Sequence, residues 1–106
     1  MISSAIINAL PLLPQQKGDW GVYLLLCNNG AFYCGISNRL EIRWQAHVAG
    51  KGARYTRMYP PEQMRVVCRG IGKRIAAQCE YQLKQLTAAD KACLWGLLDN
   101  FKPAQE

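Results

Sequence analysis

Acidic residues are scarce where basic ones gather. Between Arg39 and Lys84 lie ten of the chain's 13 Lys and Arg residues, opposed only by Glu41, Glu62 and Glu80. The formal net charge of +6 over 106 residues is therefore concentrated in a cationic middle, which points to a polyanionic partner, most economically nucleic acid. Cysteine pairing is missing too. Cys27, Cys34, Cys68, Cys79 and Cys93 are odd in number and include no Cys-x-x-Cys, so neither a disulfide framework nor a zinc site is indicated, and they read as reduced core thiols. Nor is there a long apolar run. The opening MISSAIINALPLLPQQKGD lacks a basic leader, is interrupted by Pro11 and Pro14, and offers nothing long enough to cross a membrane. A cytoplasmic protein with no membrane attachment is expected. Repeats, low-complexity runs and linkers are absent, which leaves one domain, half of it hydrophobic and large enough to bury a core.

What is present centres on WGVYLLLCNNGAFYCG, Trp20 to Gly35. Two β-rich runs, Trp20 to Cys27 and Phe32 to Ile36, flank Asn28, Asn29 and Gly30, which tolerate the backbone angles of a tight turn. With a three-residue loop and Gly30 left-handed, Cys27 faces Ala31, Leu25 faces Tyr33 and Tyr23 faces Gly35. Both tyrosines then share one side with Gly21, Leu25 and Gly35. The other side carries Val22, Leu24, Leu26, Phe32, Cys34 and Ile36, an unbroken apolar face. A two-residue loop would separate the tyrosines, because a one-residue slip inverts every side chain; the apolar alternation favours the longer loop. Opposite Tyr23, a glycine leaves room beside its hydroxyl, where a pocket is expected.

Residues 1–19 read as a lead-in, with a short helix through Leu10 ended by Pro11. After the hairpin, Asn38 and Glu41 have the spacing of a capping box, and Gly50 and Gly52 close the segment, so Arg39 to Ala49 is expected to be helical with Leu40, Trp44, His47 and Val48 as its apolar stripe. Arg43 and His47 are one turn apart at its edge. KGARYTRMYPP, Lys51 to Pro61, reads as a loop whose Lys51, Arg54 and Arg57 alternate with Tyr55 and Tyr59, a pattern suited to phosphate contact and base stacking. Met64, Val66 and Cys68 predict the apolar face of a third strand. Lys73 to Leu86 has helical spacing in Ile75, Ala76, Cys79, Leu83 and Leu86, with Glu80 at the margin of that stripe and Lys84 one turn on. Thr87 and Asp90 open a last helix through about Asp99. These elements predict an α/β (α+β) domain at 20–99, built on a small three-stranded mixed or antiparallel sheet flanked by helices, and a tail at 100–106.

These residues resemble the GIY-YIG nuclease superfamily, particularly its small stand-alone bacterial members, from about Trp20 to Trp95. Gly21-Val22-Tyr23 and Tyr33-Cys34-Gly35 look like the two naming motifs with the central residue varied. Arg43 matches the helix arginine, His47 the histidine one turn later in several members, Glu80 within CEYQLKQL the metal-binding glutamate, and AGKGARYTR the corresponding loop of the stand-alone members. The asparagine that follows the glutamate in some members has no counterpart here, Asn100 being too far along. The resemblance implies hydrolysis of DNA phosphodiesters with one Mg²⁺ or Mn²⁺ held by Glu80. Tyr23 would deprotonate or position water, Arg43 would stabilise charge on the phosphate, and Tyr33 and His47 would hydrogen-bond phosphate or water. Lys51, Arg54, Arg57 and Lys84 are the expected DNA contacts. With no accessory DNA-binding domain attached, structure-selective or weakly sequence-specific cleavage is the expectation, and the alternative is a module of the same fold that binds nucleic acid without turnover.

Overall fold

A computed structural model describes residues 17–101; the helix expected before Pro11 and the tail beyond Phe101 lie outside them. Strands β1 (Lys17–Cys27), β2 (Phe32–Ser37) and β3 (Pro61–Ile71) and helices α1 (Leu40–Val48), α2 (Arg54–Met58), α3 (Lys73–Lys84) and α4 (Ala88–Gly96) follow in the chain order β1-β2-α1-α2-β3-α3-α4. The sheet is antiparallel throughout and ordered β2-β1-β3, so β1 is its centre.

The hairpin adopts the three-residue loop. Gly30 has φ +83°, the Gly30 N–H donates to the Cys27 carbonyl, and the Cys27 N–H donates to the Ala31 carbonyl, both at 2.9 Å. Leu25 lies opposite Tyr33 and Tyr23 opposite Gly35, so the tyrosines share a face as the alternation requires.

Each face of β1 feeds its own core. Val22, Leu24 and Cys34 pack with Ala76, Cys79 and Leu83 of α3 and with Leu94 and Trp95 of α4. Tyr23, Leu25, Cys27 and Met64 form the second core, covered by Leu40 and Trp44 of α1, Tyr55 of α2 and Phe101. The space expected beside Tyr23 is thus filled rather than open. Gly35 is needed because a Cβ there would run into the Tyr23 hydroxyl.

Several local readings need correction. A register shift of β3 between Tyr23–Val66 and Val22–Cys68 inserts Val67 as a bulge, so Met64 faces the second core while Val67 and Cys68 pack on the first; the expected single face of Met64, Val66 and Cys68 is split. The segment after Gly52 folds into the short helix α2 instead of remaining a loop. Asn38 does not cap α1: Arg39 holds the cap position without a side-chain bond, and its N–H donates to Ser37 Oγ at 2.9 Å. Val48 is exposed, outside the stripe. Thr87 does cap α4, accepting from the Asp90 N–H. The last helix stops at Gly96 rather than near Asp99, and Asn100 and Phe101 run on alongside β3, with the Phe101 N–H donating to the Met64 carbonyl at 2.8 Å.

Candidate functional site

Three elements meet over the Tyr23 ring. β1 supplies Tyr23, β2 supplies Tyr33 two strand positions from Gly35, and α1 supplies Arg43 and His47 from adjacent turns of one edge. The Tyr23 hydroxyl lies 2.8 Å from His47 Nε2, and Arg43 Nε donates to the same oxygen at 3.4 Å. Tyr33 approaches the His47 ring edge-on at a centroid distance of 5.9 Å and stacks against Tyr55 at 6.1 Å with only 13° between the rings. Asn29 Nδ2 in the hairpin loop donates to the Tyr55 hydroxyl at 2.9 Å, which fixes that stack from the far side.

Burial sets the electrostatics. Tyr23 is 1% exposed and His47 0%. Burial pushes the Tyr23 phenol up to about 12, with the Arg43 hydrogen bond and charge opposing that rise, and it pushes His47 down to about 4, where the Arg43 charge acts in the same direction. Both groups are neutral at pH 7. His47 has both ring nitrogens engaged, one by Tyr23 and the other, Nδ1, by Thr56 Oγ1 at 2.8 Å. Enclosed in this way, His47 has both ring nitrogens taken within the protein and no surface exposed to solvent.

Glu80 stands on the other side of the sheet. It projects from α3, between the buried Ala76 and Leu83, and its side chain pairs with Lys84 at 3.5 Å. Among the described residues that is the only side-chain bond it makes, so no direct contact links it to Tyr23, Tyr33, Arg43 or His47. Its tie to the hairpin is electrostatic, through Cys34 of the edge strand β2. Burial pushes the Cys34 thiol up to about 12, with Glu80 adding to the rise and Lys84 and Lys91 opposing it. A cleft of about 280 Å³ opens at this edge, lined by Tyr33, Cys34, Tyr55, Lys84 and Lys91. A larger one, about 400 Å³, lies at the start of α1 among Asp19, Arg39, Glu41, Arg69 and Phe101; none of Tyr23, Tyr33, Arg43, His47 and Glu80 lines it.

Among the described residues no cluster of three or more His, Cys, Asp or Glu side chains is placed to hold a metal ion. That excludes a closed zinc-type cage there but fits Mg²⁺, which keeps most of its waters and takes one or two carboxylates together with substrate phosphates. Glu80, a carboxylate with only a lysine for a partner, suits that requirement. Lys51, Arg54 and Arg57 are all exposed, and α2 presents the two arginines one turn apart. Asn100, by contrast, accepts from Arg65 Nε at 2.8 Å at the opposite, β3 edge of the sheet.

Sequence reasoning missed Thr56, Lys91 and Asn29. Thr56 lies in a stretch that reads as an exposed loop, and the helix that carries it is too brief for sequence periodicity to reveal.

The chain is 52% identical over 81 residues to a UPF0213 protein of Neisseria meningitidis serogroup A, covering 76% of this chain and 89% of that protein. It is 50% identical over 72 residues to a UPF0213 protein of Xanthomonas axonopodis pv. citri, covering 68% and 71%, and 44% identical over 86 residues to one of Xanthomonas campestris pv. campestris, covering 81% and 83%. No solved structure matches. The family model for the GIY-YIG catalytic domain matches residues 19–92, which take in both tyrosine strands, the arginine and histidine of α1 and the glutamate of α3. With its sheet and helices in the family's arrangement, this chain belongs to the GIY-YIG catalytic domain family.

Proposed function

We propose that this protein is a divalent-metal-dependent endonuclease that hydrolyses phosphodiester bonds in DNA. The observation that carries the reading is the Tyr23 hydroxyl held between Arg43 Nε and His47 Nε2. A phenol placed in this way donates its own proton to the imidazole and accepts one hydrogen bond from the guanidinium, which leaves one oxygen lone pair that a water reaches only once the packing around Tyr23, 1% exposed here, opens to substrate. As that water attacks phosphorus, its proton passes to the Tyr23 oxygen while the tyrosine proton moves to Nε2. The new oxygen–phosphorus bond replaces the one to the leaving strand end, which takes a proton from solvent. Neither residue has to be charged beforehand, in keeping with the neutral resting forms that burial enforces.

Arg43 stabilises the negative charge that grows on the phosphate and on the phenol oxygen. Tyr33, whose hydroxyl makes no hydrogen bond to the protein among the described residues, is available to the phosphate. Glu80 would hold Mg²⁺ or Mn²⁺, and a bound ion supplies Lewis-acid stabilisation of the phosphoryl oxygens. Lys51, Arg54, Arg57 and Lys84 hold the DNA backbone, joined by Lys91, which lines the cleft with Lys84.

Glu80→Gln tests the assignment. It keeps side-chain size, removes the charge that retains the metal, and is expected to lower cleavage in Mg²⁺ by about a thousandfold or more, the equivalent of several kcal/mol. Binding to DNA is expected to stay the same or tighten, since a carboxylate is removed from a cationic surface. Gel-based cleavage and fluorescence binding on duplex, flapped, branched and single-stranded substrates read both quantities. Wild-type cleavage by the variant would remove Glu80 from the mechanism, and absence of cleavage by the wild-type protein on every substrate would leave a binding module.

A further inference from the structure

Thr56 is, among the described residues, one of two polar or charged residues that are fully buried, the other being His47. Its hydroxyl donates to the Ala53 carbonyl at 2.9 Å. A hydroxyl has a single proton, so toward His47 Nδ1, 2.8 Å away, the Thr56 oxygen acts as the acceptor. Nδ1 therefore bears the hydrogen, and Nε2 keeps the lone pair to which Tyr23 donates. The chain of donors runs in one direction, from Arg43 through Tyr23 to Nε2, and from Nδ1 through Thr56 to the Ala53 backbone.

The loop between α1 and α2 is built closely around that nitrogen. A Cβ at Gly52 would collide with His47 Nδ1 and come within 3.0 Å of the His47 Cα, so only glycine lets the chain pass against the ring before turning into α2. The Ala53 carbonyl directly follows that passage and begins the first turn of α2, accepting also from the Arg57 N–H at 3.1 Å. The acceptor that orients Thr56 is thus itself fixed by helical hydrogen bonding.

We propose that Thr56 is a positioning residue that holds His47 in the Nδ1-protonated tautomer and so equips Nε2 to take the Tyr23 proton. This rests on the proton path proposed above for its effect on turnover, whereas the tautomer itself is independent of any activity. In the opposite tautomer two hydrogens would face each other between Tyr23 and Nε2, or the phenol would have to turn away and present its proton to the water it is meant to accept from.

His47 is the only histidine in the chain, so the ¹⁵N shifts of its two ring nitrogens can be assigned without ambiguity in a uniformly labelled sample. The wild-type protein is expected to show a pyrrole-type Nδ1 and a pyridine-type Nε2 at pH 7. Thr56→Val, which matches the volume and removes the acceptor, is expected to shift the pair toward the Nε2-protonated form or a mixture, and Thr56→Ser to restore the wild-type pattern. In cleavage assays Thr56→Val should lower kcat about ten- to a hundredfold, by analogy with the loss when a partner orienting a metal-bound histidine is removed, with KM little changed and Thr56→Ser close to wild type. A pyridine-type Nδ1 in the wild-type protein, or an unaltered pattern in folded Thr56→Val, would overturn the assignment; the first needs no variant to fold. A shifted tautomer with unchanged kcat would overturn the positioning role and the Tyr23-to-His47 proton path together. If no wild-type cleavage is found, the nuclease reading fails while the nitrogen shifts still decide what Thr56 does.

Discussion

Two glycines of the hairpin serve different ends, and their substitution separates folding from chemistry. Gly30 has a positive φ and nothing within 4 Å of where its Cβ would stand. Gly30→Ala therefore meets a backbone penalty of about 1–2 kcal/mol and no neighbour. Gly35 has no such angle, but its Cβ would occupy the place of the Tyr23 hydroxyl. Gly35→Ala is expected to cost about 1–3 kcal/mol through overpacking and also to push Tyr23 off His47 Nε2. Denaturant unfolding should show both destabilisations, while cleavage well below the melting temperature should fall in Gly35→Ala alone. Comparable activity loss in Gly30→Ala would place the cause in stability, not in the Tyr23–His47 bond.

At the level of elements, α2 is where the cationic surface is most regular. Arg54 and Arg57 share one side of it and Lys51 precedes it, all exposed and, among the described residues, without an acidic partner. Replacing all three with alanine is expected to weaken binding to every DNA sequence alike and to flatten the dependence of log K on log salt by about one unit for each phosphate no longer neutralised. Affinity titrations at several salt concentrations measure that slope, and an unchanged slope would show that the segment does not touch DNA. The hairpin register, the helix carrying Arg43 and His47 and the stripe bordering Glu80 were all legible from local periodicity, because each is decided by residues a few positions apart. α2 was not, since five residues cannot advertise a helix whose stability comes from packing on the second core. The bulge at Val67 was hidden for the same reason: it exists to reconcile two registers against β1, and only pairing across the sheet reveals it. Thr56 follows from α2 alone, a small polar side chain with a role only once that helix has folded over His47.

For the molecule as a whole, the buried neutral imidazole links stability to pH. His47 titrates near 6.5 when unfolded and at about 4 when folded. Between these values the unfolded chain binds the extra proton, so stability is fully present above pH 6.5 and falls as the pH is lowered toward 4, by on the order of 3 kcal/mol. Thermal melts from pH 7 to 4 should record this decline, and His47→Gln should remove the part of it that begins near pH 6.5, where no other side chain of this sequence ordinarily titrates. The central position of β1 has a different consequence. Val22, Tyr23, Leu24 and Leu25 are enclosed on both faces and paired on both edges, so hydrogen exchange is expected to release their amides only when the entire domain opens. Tyr33 sits on the border strand, one neighbour away from solvent, where opening is local and cheap in free energy. The phenol proposed to receive a proton is thereby anchored in the central, enclosed strand, and the phenol proposed to meet the incoming phosphate on an edge strand. On the proposed mechanism, substrate is expected to enter at the β2 margin by small local openings, with the Tyr23–His47 alignment kept for as long as the protein remains folded.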